Sequence, residues 1–314
     1  MADDCTEDVA TVRKLRTNVL SVARLELHDT ASIEVSGTSL AAVEQGSGDP
    51  IVLVHGGVSD LRSWTNQIPF FSEHFRTVCY SRRYHKPNAP IPTDAPDSIQ
   101  THVADLASLI EQIGAVPAHI VGHSWGALIT IILATQRPEL CRNLVLIEAP
   151  SVSIHLQIPP NPVPLIKLLL SNPRLGISIA KLGAGTFAPA EKAFRKGNDK
   201  ATIAHFGRGV LGKQAFEALS EELYQQVWDN RGTDRAQALY QGFPDLRDAP
   251  LSLVTMPTLL LSGSSSPTVF RRLNEALADK LPNATHRVIP KASHIVHEDT
   301  PDEVNEEIMR FLQR

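Results

Sequence analysis

The stretch from Ala118 to Gln136 constrains this chain most. A four-residue apolar run, Ala118–Val121, passes through Gly122-His123-Ser124-Trp125-Gly126 directly into the helical pattern Ala127–Gln136. A strand that turns into a helix within five residues needs glycine where the two backbones approach, and it leaves the middle residue on a sharp, outward-pointing bend. The pentapeptide G-x-S-x-G alone arises often by chance, but between a strand and a helix it predicts a serine hydroxyl held out for chemistry. The competing reading makes Ser124 a helix N-cap, a role that suits serine.

The rest of the chain repeats that strand-then-helix rhythm. Short β-branched runs predict strands at Ser32–Val35, Leu40–Glu44, Ile51–Val54, Thr77–Tyr80, Asn143–Ile147, Thr258–Ser262 and Ala284–Ile289, with helices over Ile99–Ile113, Ser124–Gln136, Pro267–Lys280 and Pro301–Leu312. The alternation predicts an α/β fold, a mostly parallel central sheet flanked by helices. Residues 150–250 break the rhythm, opening with the proline-rich Ile158–Pro164 and continuing with helical patterns and no convincing strand. They predict a helical cap inserted into a core of residues 25–149 and 251–314, preceded by a polar helical extension at 1–24. A length of 314 residues accommodates one such domain.

A serine hydroxyl is a poor nucleophile without a base, and the charge it generates needs donors to receive it. His294 is singled out among twelve histidines by its place between the last predicted strand and the last helix, where a loop can return to Ser124. The turn His55-Gly56-Gly57 ends a buried strand without side chains at the bend, so the N–H of Gly57, with that of Trp125, is the expected oxyanion hole. His297 with Glu298 and Asp299 matches no metal-binding helix spacing, so His297 is assigned to packing and no metal is expected.

Composition narrows the partners. A net charge of -4 provides no broad basic field for nucleic acid or anionic lipid, so neither nucleic acid nor membrane is expected. Cys5, Cys79 and Cys141 form no CxxC pair and are read as free or buried thiols. The acidic N-terminus lacks the order of a secretory leader, and the apolar run Ala127–Ala134 falls short of the ~20 residues that span a bilayer, so a cytoplasmic location is expected.

Taken together, the strand ending in His55-Gly-Gly57, the Gly122–Gly126 turn, the insertion and His294 resemble the α/β-hydrolase superfamily over roughly residues 25 to 314. The resemblance implies an eight-stranded sheet, a helical cap and a Ser–acid–His triad with no cofactor. The stretch Tyr80–Asn88 also resembles a loop found in some of these hydrolases. The family's usual acid position corresponds here to Gly263-Ser-Ser-Ser-Pro267, which carries no carboxylate. Some members place the acid one strand earlier, which points to Glu148 at the end of Asn143–Ile147. Its alternative reading is a surface carboxylate paired with an arginine such as Arg142, and Asp245 and Asp248 are weaker candidates because they fall in the insertion. Apolar runs at Leu165–Leu170 and Ile177–Ala180, with Phe187, Phe194 and Phe206, are consistent with a lid whose inner face is greasy. The expected partner is a small-molecule hydrophobic ester or lactone, and a homodimer stays open. By the resemblance, a serine at position 124 argues against epoxide hydrolases and dehalogenases, which need an aspartate there. Amidase, thioesterase, carbon–carbon bond hydrolase and cofactor-free perhydrolase chemistry stay open, as do a slow or non-catalytic ligand receptor and an interaction protein with an inert site.

Overall fold

The computed structural model describes residues 30–92, 97–158, 162–233 and 245–314. The expected extension at 1–24, with Cys5, lies outside them.

Eight strands form one sheet in the order β1-β2-β4-β3-β5-β6-β7-β8: β1 Ala31–Val35, β2 Thr38–Gln45, β3 Pro50–Val54, β4 Arg76–Tyr80, β5 Ala118–His123, β6 Cys141–Ile147, β7 Thr258–Gly263 and β8 Ala284–Ile289. β1, β2 and β4 pair antiparallel, and every pairing from β4 to β8 is parallel. The parallel strands are apolar on both faces because helices cover both. Along β3, Val52 and Val54 pack with the helices Ile99–Gln112 and Trp125–Gln136, while Ile51 and Leu53 face Trp64, Ile68, Phe71 and the C-terminal helix Pro301–Leu312. Alternate side chains thus build two cores from one strand. The short helices Gln67–Ser72 and Val296–Asp299 have no counterpart among the elements expected from the sequence. Their periods are too few to register as a pattern.

Between β6 and β7 the described chain forms only helical elements, called the cap below, from Ser151–Ile154 to Glu221–Asp229 and Leu251–Leu253. Its own apolar cluster, including Leu175, Ile179 and Val210, rests on Phe270 and Leu273 of the helix Thr268–Ala278. The helix Pro162–Ser171 departs from expectation. It has no fully buried residue: Leu165 and Leu168 pack part-buried against that cluster, while Val163, Ile166 and Leu170 face solvent, so only one side of the run is turned inward. Among the described residues no helix is long and apolar enough to cross a membrane. Cys79 and Cys141 are buried free thiols.

Parallel strands deliver their C-terminal ends to one edge of the sheet. That edge receives Gly56 and Gly57 after β3, Arg82 after β4, Ser124 after β5, Glu148 after β6, Gly263 at the end of β7 and His294 after β8.

Candidate active site

Ser124 sits at φ 48° and ψ −115°, a conformation L-residues rarely adopt, and the helix begins one residue later, at Trp125. Two close approaches hold it there. A Cβ on Gly126 would lie 2.2 Å from the Val54 carbonyl oxygen, and one on Gly122 would lie 2.7 Å from that of Gly126. Ser124 occupies the cap position, yet its hydroxyl makes no capping hydrogen bond. Its Oγ instead lies 3.0 Å from His294 Nε2.

The other imidazole nitrogen, Nδ1, lies 2.9 Å from Glu148 Oε2. Glu148 is fully buried and also takes a positive φ, 53°, with its N–H bonded to the Leu261 carbonyl at 2.9 Å. Gly263 N–H donates to Oε1 and the Ser266 hydroxyl to Oε2, each at 2.7 Å. The turn that lacks a carboxylate therefore supplies donors to the carboxylate of the next strand. Arg142 pairs with Asp49 instead, and Asp245 pairs with Arg247 at the surface.

Burial raises the Glu148 carboxyl above its ordinary range, opposed by Ser266 and Gly263, and burial lowers His294 well below the usual imidazole value. Both shifts disfavour an ion pair in the resting site. Three converging donors suit an ionised acceptor, so the arrangement is a carboxylate holding a neutral imidazole by its Nδ1–H, with the Nε2 lone pair facing Ser124 Oγ.

Gly57 lines the same cavity as Ser124 and His294. Trp125 opens its helix, at the position whose N–H precedes the intrahelical hydrogen-bond ladder, with its indole in the core. The turn before Gly57 is held by groups the sequence did not reveal. Arg82, 1% exposed, donates through Nη2 to the Gly56 carbonyl and through its backbone N–H to His55 Nε2, both at 2.8 Å. His55 Nε2 is thereby an acceptor, so Nδ1 carries the proton and donates to Gly56 O at 2.9 Å. The loop Tyr80–Asn88 is thus a brace for this turn. A Cβ on Gly56 would meet His123 Nδ1 at 2.7 Å, which explains why the bend carries no side chain. His123 Nε2–H in turn holds the His294 carbonyl at 3.0 Å. His297 is buried against Trp64 and His123, with ring centroids 4.5 and 4.6 Å away. Among the described residues no three His, Cys, Asp or Glu side chains are grouped to hold a metal ion.

A cavity of about 140 Å³ opens over Ser124. Cap residues Phe187, Phe194, Ile203, Phe206, Val210 and Phe216 supply much of its apolar wall, and Asp199, Thr202, Gln226, Arg231 and Glu298 are polar groups on it.

The family model described as alpha/beta hydrolase fold matches residues 49–301. The chain is 24% identical over 270 residues to the (E)-2-((N-methylformamido)methylene)succinate hydrolase of Acinetobacter baylyi, covering 86% of this chain and 92% of that one. Among solved structures, a thermophilic esterase from Thermogutta terrifontis superposes with TM-score 0.67 at 18% identity, covering 91% of this chain and 98% of its own. An epoxide hydrolase from Bacillus megaterium superposes with TM-score 0.66 at 23% identity, covering 90% and 100%. At these identities the two structures show a shared fold.

Proposed function

The chain belongs to the alpha/beta hydrolase fold family, and from that premise we propose that it is a serine hydrolase that cleaves a carboxylic ester or lactone through an acyl-enzyme. The observation that carries this reading is the unbroken relay from Ser124 Oγ through His294 to Glu148, at 3.0 and 2.9 Å.

In this reading His294 Nε2 accepts the hydroxyl proton as Ser124 Oγ attacks the carbonyl carbon. The negative oxygen that forms is received by the N–H groups of Gly57 and Trp125. Glu148 fixes the imidazole tautomer and offsets the imidazolium charge during the step. His294 then protonates the leaving alkoxide, and water, deprotonated by the same nitrogen, releases the acid and restores Ser124. Burial favours this cycle twice over: it keeps the base unprotonated at rest and strengthens charge stabilisation in the transition state.

The cavity wall supports an apolar acyl part. About 140 Å³ is close to the volume of a cavity that takes a benzene ring, so a compact acyl group or small ring fits. Opening an epoxide through an ester intermediate requires a carboxylate where this chain has Ser124. A turn without a carboxylate at Ser264–Ser266 would favour a non-catalytic receptor, and the buried carboxylate 2.9 Å from His294 supports the catalytic reading over it.

The test is labelling by a fluorophosphonate probe of wild type beside Ser124→Ala, followed by a panel of esters and lactones. Wild type is expected to label and to turn over repeatedly, and Ser124→Ala to lose about 10⁴–10⁶ in kcat with its fold intact. A variant keeping more than about a tenth of the activity would remove Ser124 from the reaction.

A further inference from the structure

The segment that follows Gly57 is strained and gripped by the cap. Val58 takes a φ of 43°, a region costly for a β-branched side chain and stable only where the surroundings over-determine it. Three cap residues on one face of the last turn of the helix Glu221–Asp229 supply that grip. Gln226 Nε2 donates to Ser59 Oγ at 3.0 Å, Asp229 accepts from Arg62 Nη2 at 3.0 Å, and Asn230 Nδ2 donates to Asp60 Oδ2 at 2.6 Å.

Asn230 is the centre of this contact. It is fully buried, as is Asp60. Its amide nitrogen also donates to the Gln226 carbonyl at 2.9 Å, and its Oδ1 accepts the Lys86 N–H at 2.9 Å. Flipping the amide would set oxygen against the Asp60 carboxylate and NH₂ against an N–H, so the network admits one orientation. Asn230 therefore ties three pieces together: the cap helix, the brace loop whose Arg82 holds Gly56, and the turn three residues beyond Gly57. His85 adds a bond from Nδ1–H to the Ser59 carbonyl at 2.7 Å. The same helix also lines the cavity through Leu223, Gln226 and Val227, so an occupant of the cavity touches the element that holds the turn.

We propose that Asn230 is a positioning residue that couples the seating of the cap to the placement of the Gly57 N–H, and so to oxyanion stabilisation at Ser124. This rests on the serine-hydrolase reading above. Substrate affinity from apolar contacts does not depend on where that N–H points, whereas the charge formed on the carbonyl oxygen does.

The experiment compares Asn230→Ala with wild type, using p-nitrophenyl butyrate as substrate and two ligands of equal chain length. In 1,1,1-trifluorohexan-2-one the carbonyl carbon accepts Ser124 Oγ, the proton passes to His294, and the oxygen becomes an anion facing Gly57. Hexan-2-one fills the same space without forming that charge. Asn230→Ala is expected to lower kcat by about 10–100-fold and weaken the trifluoroketone by a similar factor, with KM and hexan-2-one affinity within about threefold, since misplacing one donor costs less than deleting it. Equal weakening of both ketones, a higher KM at unchanged kcat, or no change at all would overturn the coupling. If Asn230→Ala does not fold, Asp229→Ala, which removes the part-exposed bridge to Arg62 and an exposed bond from Gln225, takes its place. About a threefold loss in kcat and trifluoroketone affinity, with hexan-2-one unchanged, is then required. A wild-type protein that neither labels with fluorophosphonate nor hydrolyses the ester would remove the serine-hydrolase reading itself, a result distinct from any pattern among the variants.

Discussion

At the scale of single residues, the proposed triad takes its acid from Glu148 at the end of β6, where Oε2 lies 2.9 Å from His294 Nδ1. The backbone takes a positive φ at Glu148, and Gly263 N–H and the Ser266 hydroxyl donate to its carboxylate. Glu148→Gln keeps the volume but replaces one acceptor oxygen with an amide nitrogen. That nitrogen then faces either a donor from the Gly263–Ser266 turn or the Nδ1–H that sets the tautomer. The expected result is a loss of about 10²–10⁴ in kcat with little change in KM, measured on any ester that wild type hydrolyses. Full activity would mean that another group orients His294.

At the scale of elements, the elbow depends on how closely the helix Trp125–Gln136 approaches β3. The Gly126 Cβ position lies 2.2 Å from Val54 O and 2.6 Å from His55 O, so any side chain there pushes the helix off the strand that leads into Gly56 and Gly57. Gly126→Ala is expected to cost about 2–3 kcal/mol, as overpacking of a tight contact does, and to lower Tm by about 3–5 °C in a chain of this length. Gly183→Ala is the control, since nothing lies within 4 Å of its Cβ position and its φ is an ordinary helical −59°. It should leave Tm unchanged or slightly raised. Scanning calorimetry on the two variants checks both.

For the molecule as a whole, five imidazoles are buried where the sheet meets the loops: His55, His85, His123, His294 and His297. Burial holds the pKa of each below 6.5, so the folded protein keeps them neutral while the unfolded chain takes up protons below that value. The unfolded state then binds more protons, so stability falls as pH drops through 6.5 and on toward the folded values. Each group contributes about 1.4 kcal/mol per pH unit in that range, and five together amount to several kcal/mol, a large share of ordinary domain stability. The urea midpoint should therefore be flat from pH 8 to 7 and decline steeply between pH 6.5 and 5. A flat profile over that interval would mean that these rings are not held neutral.

The α/β architecture, the elbow at Ser124 and the positions of His294 and Gly57 were legible in the sequence because each depends on local order: an apolar run, a glycine turn, a helix start. Glu148 was legible only indirectly, through the missing carboxylate at Ser264–Ser266 and the expectation that β6 lies between the elbow strand and β7. Arg82, Asp60 and Asn230 were not legible. Their partners lie 26, 170 and 144 residues away, and no local pattern distinguishes a buried arginine or asparagine from a surface one. The same holds for the helix Pro162–Ser171, whose apolar run does not reveal that Leu165 and Leu168 pack on the cap cluster while Val163, Ile166 and Leu170 face solvent. Local sequence specifies which backbone turns form and which groups they present, because those choices are made within a few residues. Which buried charges and amides find one another depends on the closed sheet and the docked cap, since only there does leaving one unpaired carry its full cost.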